Sequence, residues 1–168
     1  MDKAYQLLKY VYGYDSFRPL QKDIIDHVVS GRDALVLMPT GGGKSICYQI
    51  PALLLEGVAI VVSPLISLMK DQVDALQANG VAADAINSSN EDCVNRNIRE
   101  RCQKGELKIL YISPERLMTD IPWLQRCVKV SMIAIDEAHC VSQWGHDFRP
   151  EYTQLGVLKE CFSEVPIL

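Results

Sequence analysis

No two cysteines in this chain stand in a C-x-x-C pair. Its six, at positions 47, 93, 102, 127, 140 and 161, are scattered, which argues against a zinc site and suits free thiols better than a disulfide framework. No apolar run approaches the roughly 18 residues needed to cross a bilayer, so no membrane partner is expected, and the first residues lack the basic-then-apolar layout of a secretory leader. Low-complexity tracts and internal repeats are missing too. Nor is there a surplus of positive charge. Seventeen Lys and Arg against 21 Asp and Glu leave a formal net charge of −4, which excludes the broad basic field of an autonomous DNA binder. Any nucleic-acid contact is therefore expected to be local and weak, and the compartment intracellular and reducing.

What is present is the material of one globular domain: 168 residues, 48% hydrophobic and 23% charged, enough to bury a core. The chain is organised around Met38-Pro39-Thr40-Gly41-Gly42-Gly43-Lys44-Ser45, which follows the apolar run Ala34 to Leu37 and precedes a helical segment. Three successive glycines let the backbone turn tightly enough for consecutive N–H groups to converge on one anion, and the helix adds the positive end of its dipole. Lys44 would reach the β- and γ-phosphates of a nucleotide and the Ser45 hydroxyl would ligate Mg²⁺. Only Met38, where G-x-x-x-x-G-K-[ST] has glycine, departs from the phosphate-loop pattern; a flexible glycine turn ahead of a Lys-Ser pair is the plainer alternative.

Ala4, Leu7, Leu8 and Val11 recur at helical spacing and stop at Gly13. A second helix, opened by Pro19, carries Leu20, Ile24, Ile25 and Val28 and ends at Gly31. Between the two, Tyr14, Arg18 and Gln21 lie close together. A planar amide such as Gln21 can both donate to and accept from the edge of adenine while Tyr14 stacks on its face. An ordinary turn with a solvated helix face is the other reading of Tyr14 to Gln21, within the helical segment 1–31.

Further along, Ile46 to Leu55 reads as a helix interrupted by Pro51, and Val58 to Val62 as a strand ending in Ser63-Pro64. Leu65 to Leu76 forms a helical stripe, Ala82 to Ile86 a short strand, and a helix begins near Asn90 and ends at Gly105. Leu107 to Ile112 is a strand cut off by Ser113 to Arg116, and Met132 to Ile135 one cut off by Asp136. Strands apolar throughout and separated by helices predict an α/β fold with a mainly parallel sheet covered on both faces. Thr40, Ser63, Ser113, Asp136 and Glu137 all fall just past a strand's carboxyl end, the edge where open α/β sheets bind ligands. Asp136 is placed to hold Mg²⁺ beside Ser45, and Glu137 to polarise the water that attacks the γ-phosphate. His139 either relays between nucleotide and a second ligand or caps the turn. A solvated Asp-Glu pair remains open when that pair is taken alone.

The phosphate loop, Val62 to Gln72, Ser113 to Leu117, Asp136 to Cys140 and Ser142 to Tyr152 together resemble the ordered motif series of RecQ-family DNA helicases, over most of the chain. Met38 fits that family's version of the loop. The resemblance implies the first RecA-like P-loop NTPase domain of an ATP-dependent helicase that translocates 3′ to 5′ on single-stranded DNA and unwinds duplex DNA in recombination and repair, in the bacterial cytoplasm (nucleoid) or the nucleus. It implies adenine contacts from Arg18 and Gln21 with Tyr14 stacking, phosphate contacts from Thr40, Gly41, Gly42, Gly43, Lys44 and Ser45, and catalysis through Lys44, Asp136, Glu137 and His139. ATP and Mg²⁺ are the implied cofactors.

By the same resemblance, Ser63 and Lys70 track the DNA backbone without reading bases. Ser142 to Tyr152 becomes an aromatic-rich loop coupling DNA to hydrolysis. Trp144 and Phe148 offer flat stacking surfaces there, and Arg149 can meet a phosphate; core packing is the alternative for the two aromatics. The family's second RecA-like domain, zinc-binding region and winged-helix domain have no counterpart in the sequence, so a truncated first motor domain is expected, with Ile167 and Leu168 opening an interior strand. A related RNA helicase and a non-catalytic nucleotide-responsive module are the competing functions.

Overall fold

The computed structural model describes residues 3–17, 21–30, 44–62, 66–86 and 91–135. The strand expected at Ala34 to Leu37 and everything expected from Asp136 onward lie outside the described residues.

Helix α1 (Lys3–Tyr12) buries Ala4 and Leu8, and α2 (Gln21–Val29) buries Ile25 and Val28; both match the apolar spacing. At the end of α1, Gly13 takes a left-handed φ of +74°, and the N–H groups of Gly13 and Tyr14 turn back onto the carbonyls of Lys9 and Leu8. The next helix corrects one expectation. Pro51 does not interrupt it: α3 (Lys44–Leu54) runs through the proline, and the Leu55 N–H still reaches the Pro51 carbonyl at 2.9 Å. A mid-helix proline costs about 3 kcal/mol. Burial of Tyr48, Ile50 and Ala52, each at most 2% exposed, offsets that cost.

The rest alternates strand and helix: β1 (Val58–Val62), α4 (Ile66–Ala78), β2 (Ala83–Ile86), α5 (Asp92–Gln103), β3 (Ile109–Ile112), α6 (Pro114–Cys127) and β4 (Val130–Ile135). Helix α6 has no counterpart in the sequence-based expectations, because Pro122 inside it breaks the apparent pattern. Its signals are nonetheless present. Ser113 takes the extended N-cap conformation, Pro114 stands in the first turn, and the buried Leu117, Ile121 and Leu124 recur at i, i+4 and i+7.

The four strands are all parallel, in the order β2-β3-β1-β4. The step from β1 to β2 crosses the sheet in one direction, and the steps from β2 to β3 and from β3 to β4 cross it in the other. If every crossover has the same hand, α4 must lie on one face and α5 with α6 on the opposite one. The core divides in just that way. Ile60, Leu110, Ile112 and Ile133 pack with Ile98, Cys102, Leu117 and Leu124 from α5 and α6, while Ala59, Val61, Tyr111, Met132 and Ala134 pack with Tyr48, Met69, Val73 and Leu76 from α3 and α4. A third cluster, Ala4, Leu8, Ile25, Ile46 and Ile50, fixes α1 and α2 onto α3.

Strand β4 starts two residues earlier than Met132. Val58 pairs with Val130 but Ala59 with Met132, so Ser131 is an extra residue at a bulge. Below it, Gly57 has φ +115° and lies so close to the Lys129 carbonyl that a Cβ would stand 2.6 Å from that oxygen; the Val58 N–H donates to the same oxygen at 2.8 Å. Among the described residues no helix is long and apolar enough to cross a membrane.

Candidate functional site

Parallel strands bring their carboxyl ends to one edge, and the connections decide which other elements arrive there. Helix α3 reaches β1 through the short turn Leu55-Glu56-Gly57, so it runs antiparallel to the strand and its first residues stand beside the strand's carboxyl end. Those first residues are Lys44 and Ser45. The opening N–H groups of a helix have no intrahelical partner and favour an anion. Helix α3 also packs on β4, whose last residue, Ile135, directly precedes Asp136. The backbone thus delivers the start of α3 and the approach to the Asp-Glu pair to one edge.

Next to them is a topological switch point. β3 and β1 are neighbours in the sheet, yet α6 leaves β3 toward one face while α4 leaves β1 toward the other. Switch points of this kind are where open α/β sheets bind ligands, and the two strands end here at Val62 and Ile112. Ser113 directly follows Ile112. It is only 4% exposed, its hydroxyl makes no cap bond to α6, and its Oγ has no hydrogen-bond partner among the described residues.

Of the nucleotide residues read from the sequence, Tyr14 is exposed, just past the end of α1, and Gln21 is buried at the first position of α2. The edge-on contact of Tyr5 and Phe17, 4.9 Å between ring centroids, ties the intervening loop back to α1. Lys70 is exposed on α4. Arg18, Thr40, Gly41, Gly42, Gly43, Ser63, Asp136, Glu137, His139, Trp144, Phe148 and Arg149 lie outside the described residues.

The structure adds a feature that sequence reasoning passed over. Asp92, Asn95, Arg96 and Arg99 of α5 and Arg116 of α6 line a cavity of about 200 Å³ near the amino ends of both helices, on the same sheet edge. The Arg99 guanidinium sits over the Trp123 ring at 4.8 Å, and Arg116 Nε holds Asp120 Oδ2 at 3.2 Å, so two of the three arginines are oriented by neighbours. Spacing of i and i+3 for Arg96 and Arg99 was the available signal. In a chain of net negative charge this is a local basic patch.

Among the described residues no thiol is in a disulfide. Burial pushes the Cys47 thiol up to about 11 and Cys102 up to about 12. Cys47, in the first turn of α3, is therefore a packing residue and not a nucleophile.

The sequence matches the DEAD/DEAH box helicase family over residues 18–166. It is 56% identical to the ATP-dependent DNA helicase RecQ of Pasteurella multocida, over 98% of this chain and 26% of that protein. It is 57% identical to the ATP-dependent DNA helicase RecQ of Haemophilus influenzae, over 98% of this chain and 27% of that protein. The chain thus spans about a quarter of the length of these relatives. Among solved structures, the DUF1998 helicase MrfA bound to DNA superposes with a TM-score of 0.69 at 20% identity, covering 84% of this chain and 22% of that one. That likeness concerns the fold.

Proposed function

The chain belongs to the DEAD/DEAH box helicase family, and on that premise we propose that it is the nucleotide-binding motor domain of a RecQ-type helicase, which hydrolyses ATP to move 3′ to 5′ along single-stranded DNA and unwind duplex. The observation that carries this reading is the convergence of the start of α3 with the ends of β1, β3 and β4 on one edge of the sheet.

Each residue has a task there. The N–H groups from Thr40 through Gly43 and the Lys44 ammonium neutralise the β- and γ-phosphate oxygens, where charge-assisted bonds are strongest. Gln21 and Arg18 hold the adenine, and Tyr14, already exposed, supplies a stacking face. Ser45 and Asp136, a hydroxyl and a carboxylate, are the hard oxygen donors that Mg²⁺ prefers, so the donor set fits the ion. When bound, it would supply charge neutralisation across the phosphates. Glu137 accepts the proton of the attacking water, with His139 as a relay toward the DNA side. Ser63 and Lys70 contact phosphates of the strand, and Trp144, Phe148 and Arg149 sense it by stacking and charge. A second RecA-like domain would complete the catalytic site with an arginine, and the shorter span relative to the RecQ relatives supports its presence in a longer protein. A protein that works on chromosomal DNA would act in a nucleoid or nucleus.

Titration calorimetry tests the nucleotide half: Lys44→Ala should weaken ATP and ADP binding, and equal affinity in the variant would overturn the cradle. Comparing stimulation of the full-length protein's ATPase by single-stranded DNA and by RNA tests the other half. Preferential stimulation by RNA would replace DNA as the track.

A further inference from the structure

Behind the ligand edge, on the face covered by α3 and α4, lies a cluster of amides and phenols that no role above uses. Gln72 Oε1, on α4, accepts from the Tyr48 hydroxyl at 2.6 Å, the Tyr111 hydroxyl at 2.7 Å and Gln49 Nε2 at 3.2 Å. Gln49 Nε2 also reaches the Tyr111 hydroxyl at 3.0 Å, the two phenol oxygens stand 3.0 Å apart, and Tyr12 donates to Gln49 Oε1 at 2.6 Å. Tyr48, Gln49 and Tyr111 are at most 4% exposed.

The members come from the elements that carry the ligand segments. Tyr48 and Gln49 stand on α3, one turn beyond Lys44. Gln72 stands on α4, which begins just after Ser63-Pro64, and Tyr111 is on β3, two residues before Ser113. Nucleotide-side and DNA-side segments therefore share a single, half-buried acceptor.

That acceptor is oversubscribed. A carbonyl oxygen has two lone pairs and here faces three donors, while each phenol has one proton to give. If both phenols donate to Gln72, no proton lies between Tyr48 and Tyr111; if one turns to the other, Gln72 loses a donor. The cluster thus has alternative proton arrangements with nearly the same number of bonds. A shift of α3 against α4 of a few tenths of an ångström is enough to favour one, because a bond of 3.2 Å is already near the long limit. Packing alone would be served as well by apolar side chains, without the cost of burying amides.

We propose that Gln49, Gln72, Tyr48 and Tyr111 are positioning residues that couple nucleotide state to the DNA-contacting segments; this rests on the helicase reading above. None of them is among the residues assigned above to nucleotide or DNA. Their loss should leave each separate affinity in place and remove the link between them.

The test uses the full-length protein with Tyr48→Phe, Tyr111→Phe and Gln72→Met, variants that keep ring or chain volume. Four quantities are read: the ATPase kcat with and without saturating single-stranded DNA, the Kd for nucleotide alone, the Kd for DNA alone, and the change in DNA Kd on adding a non-hydrolysable ATP analogue. The expected result is nucleotide and DNA affinities within about twofold of wild type, with DNA stimulation of kcat and the analogue-induced change in DNA affinity each reduced about tenfold, within the usual range of coupling between sites. Should Gln72→Met fold poorly, the phenylalanine variants, which remove a single oxygen, carry the same expectation. Wild-type stimulation and linkage in variants that merely melt earlier would overturn the proposal and leave the helicase reading intact. A wild-type protein whose ATPase ignores DNA would overturn both.

Discussion

Replacing Gly57 with alanine should destabilise the domain severely without altering the ligand edge. Two costs add. A φ of +115° is a backbone conformation that side-chain-bearing residues rarely adopt, and holding one there costs on the order of 1–3 kcal/mol. The new methyl would also stand 2.6 Å from the Lys129 carbonyl oxygen and 3.3 Å from its carbon. Both are backbone atoms, so relief requires moving the segment that feeds β4. That oxygen accepts the Val58 N–H at 2.8 Å, and weakening this bond costs about 1 kcal/mol more. The total is about 2–4 kcal/mol, which in a domain of this size lowers Tm by roughly 5–15 °C. Gly13→Ala is the control. Its φ is +74°, but a Cβ there meets nothing within 4 Å, so only the conformational cost of about 1–2 kcal/mol applies. Urea and thermal unfolding of the two variants beside wild type would measure the difference. Equal stability of Gly57→Ala and Gly13→Ala would show that the contact with Lys129 is not rigid, and the close packing of the two turns would have to be abandoned. Because Gly57 lies at the amino end of β1, nucleotide affinity below the melting range should be unchanged.

Alkaline pH should unfold the domain through its buried weak acids. Burial raises Cys102 from 9.0 to about 12 and Cys47 from 9.0 to about 11, and pushes Tyr12 upward as well, with Tyr111 adding to the effect. Above pH 9 the unfolded thiols release protons that the folded ones keep, so the stabilisation is complete below that value and falls as pH rises through 9 to 12. Denaturation midpoints should fall across this window, and Cys102→Ala should flatten that pH dependence; an unaltered dependence would clear that thiol. At the basic patch, Arg96→Ala should reduce the affinity of the full-length protein for single-stranded DNA and lower the salt dependence of binding by somewhat less than one counterion, with a slope of about −0.7 per phosphate contact on single strands. An unchanged slope would remove Arg96 from the DNA path.

Much of this domain is legible in the sequence alone. β1 and β3 are apolar at every position and proved to be interior strands, since a parallel sheet covered on both faces leaves no solvated side to mark with alternation. The helix α4 followed from its apolar stripe, α5 from its bounds near Asn90 and Gly105, and the start of α3 from the phosphate-loop pattern before Lys44. Other features depend on the assembled chain. Pro51 and Pro122 read locally as helix breakers, and only the burial of α3 and α6 against the sheet overrides that local preference. The order β2-β3-β1-β4 is set by pairing between distant strands and by the hand of the crossovers, to which no local pattern is sensitive. The bulge at Ser131 appears only in the register against β1, and the arginine cavity only where α5 meets α6. Most telling is the Gln72 cluster. Its two phenols lie 63 residues apart in the chain, each looks like an ordinary residue of its own element, and they became one hydrogen-bonded unit because the fold buried them against a shared acceptor, where an unmade bond is expensive.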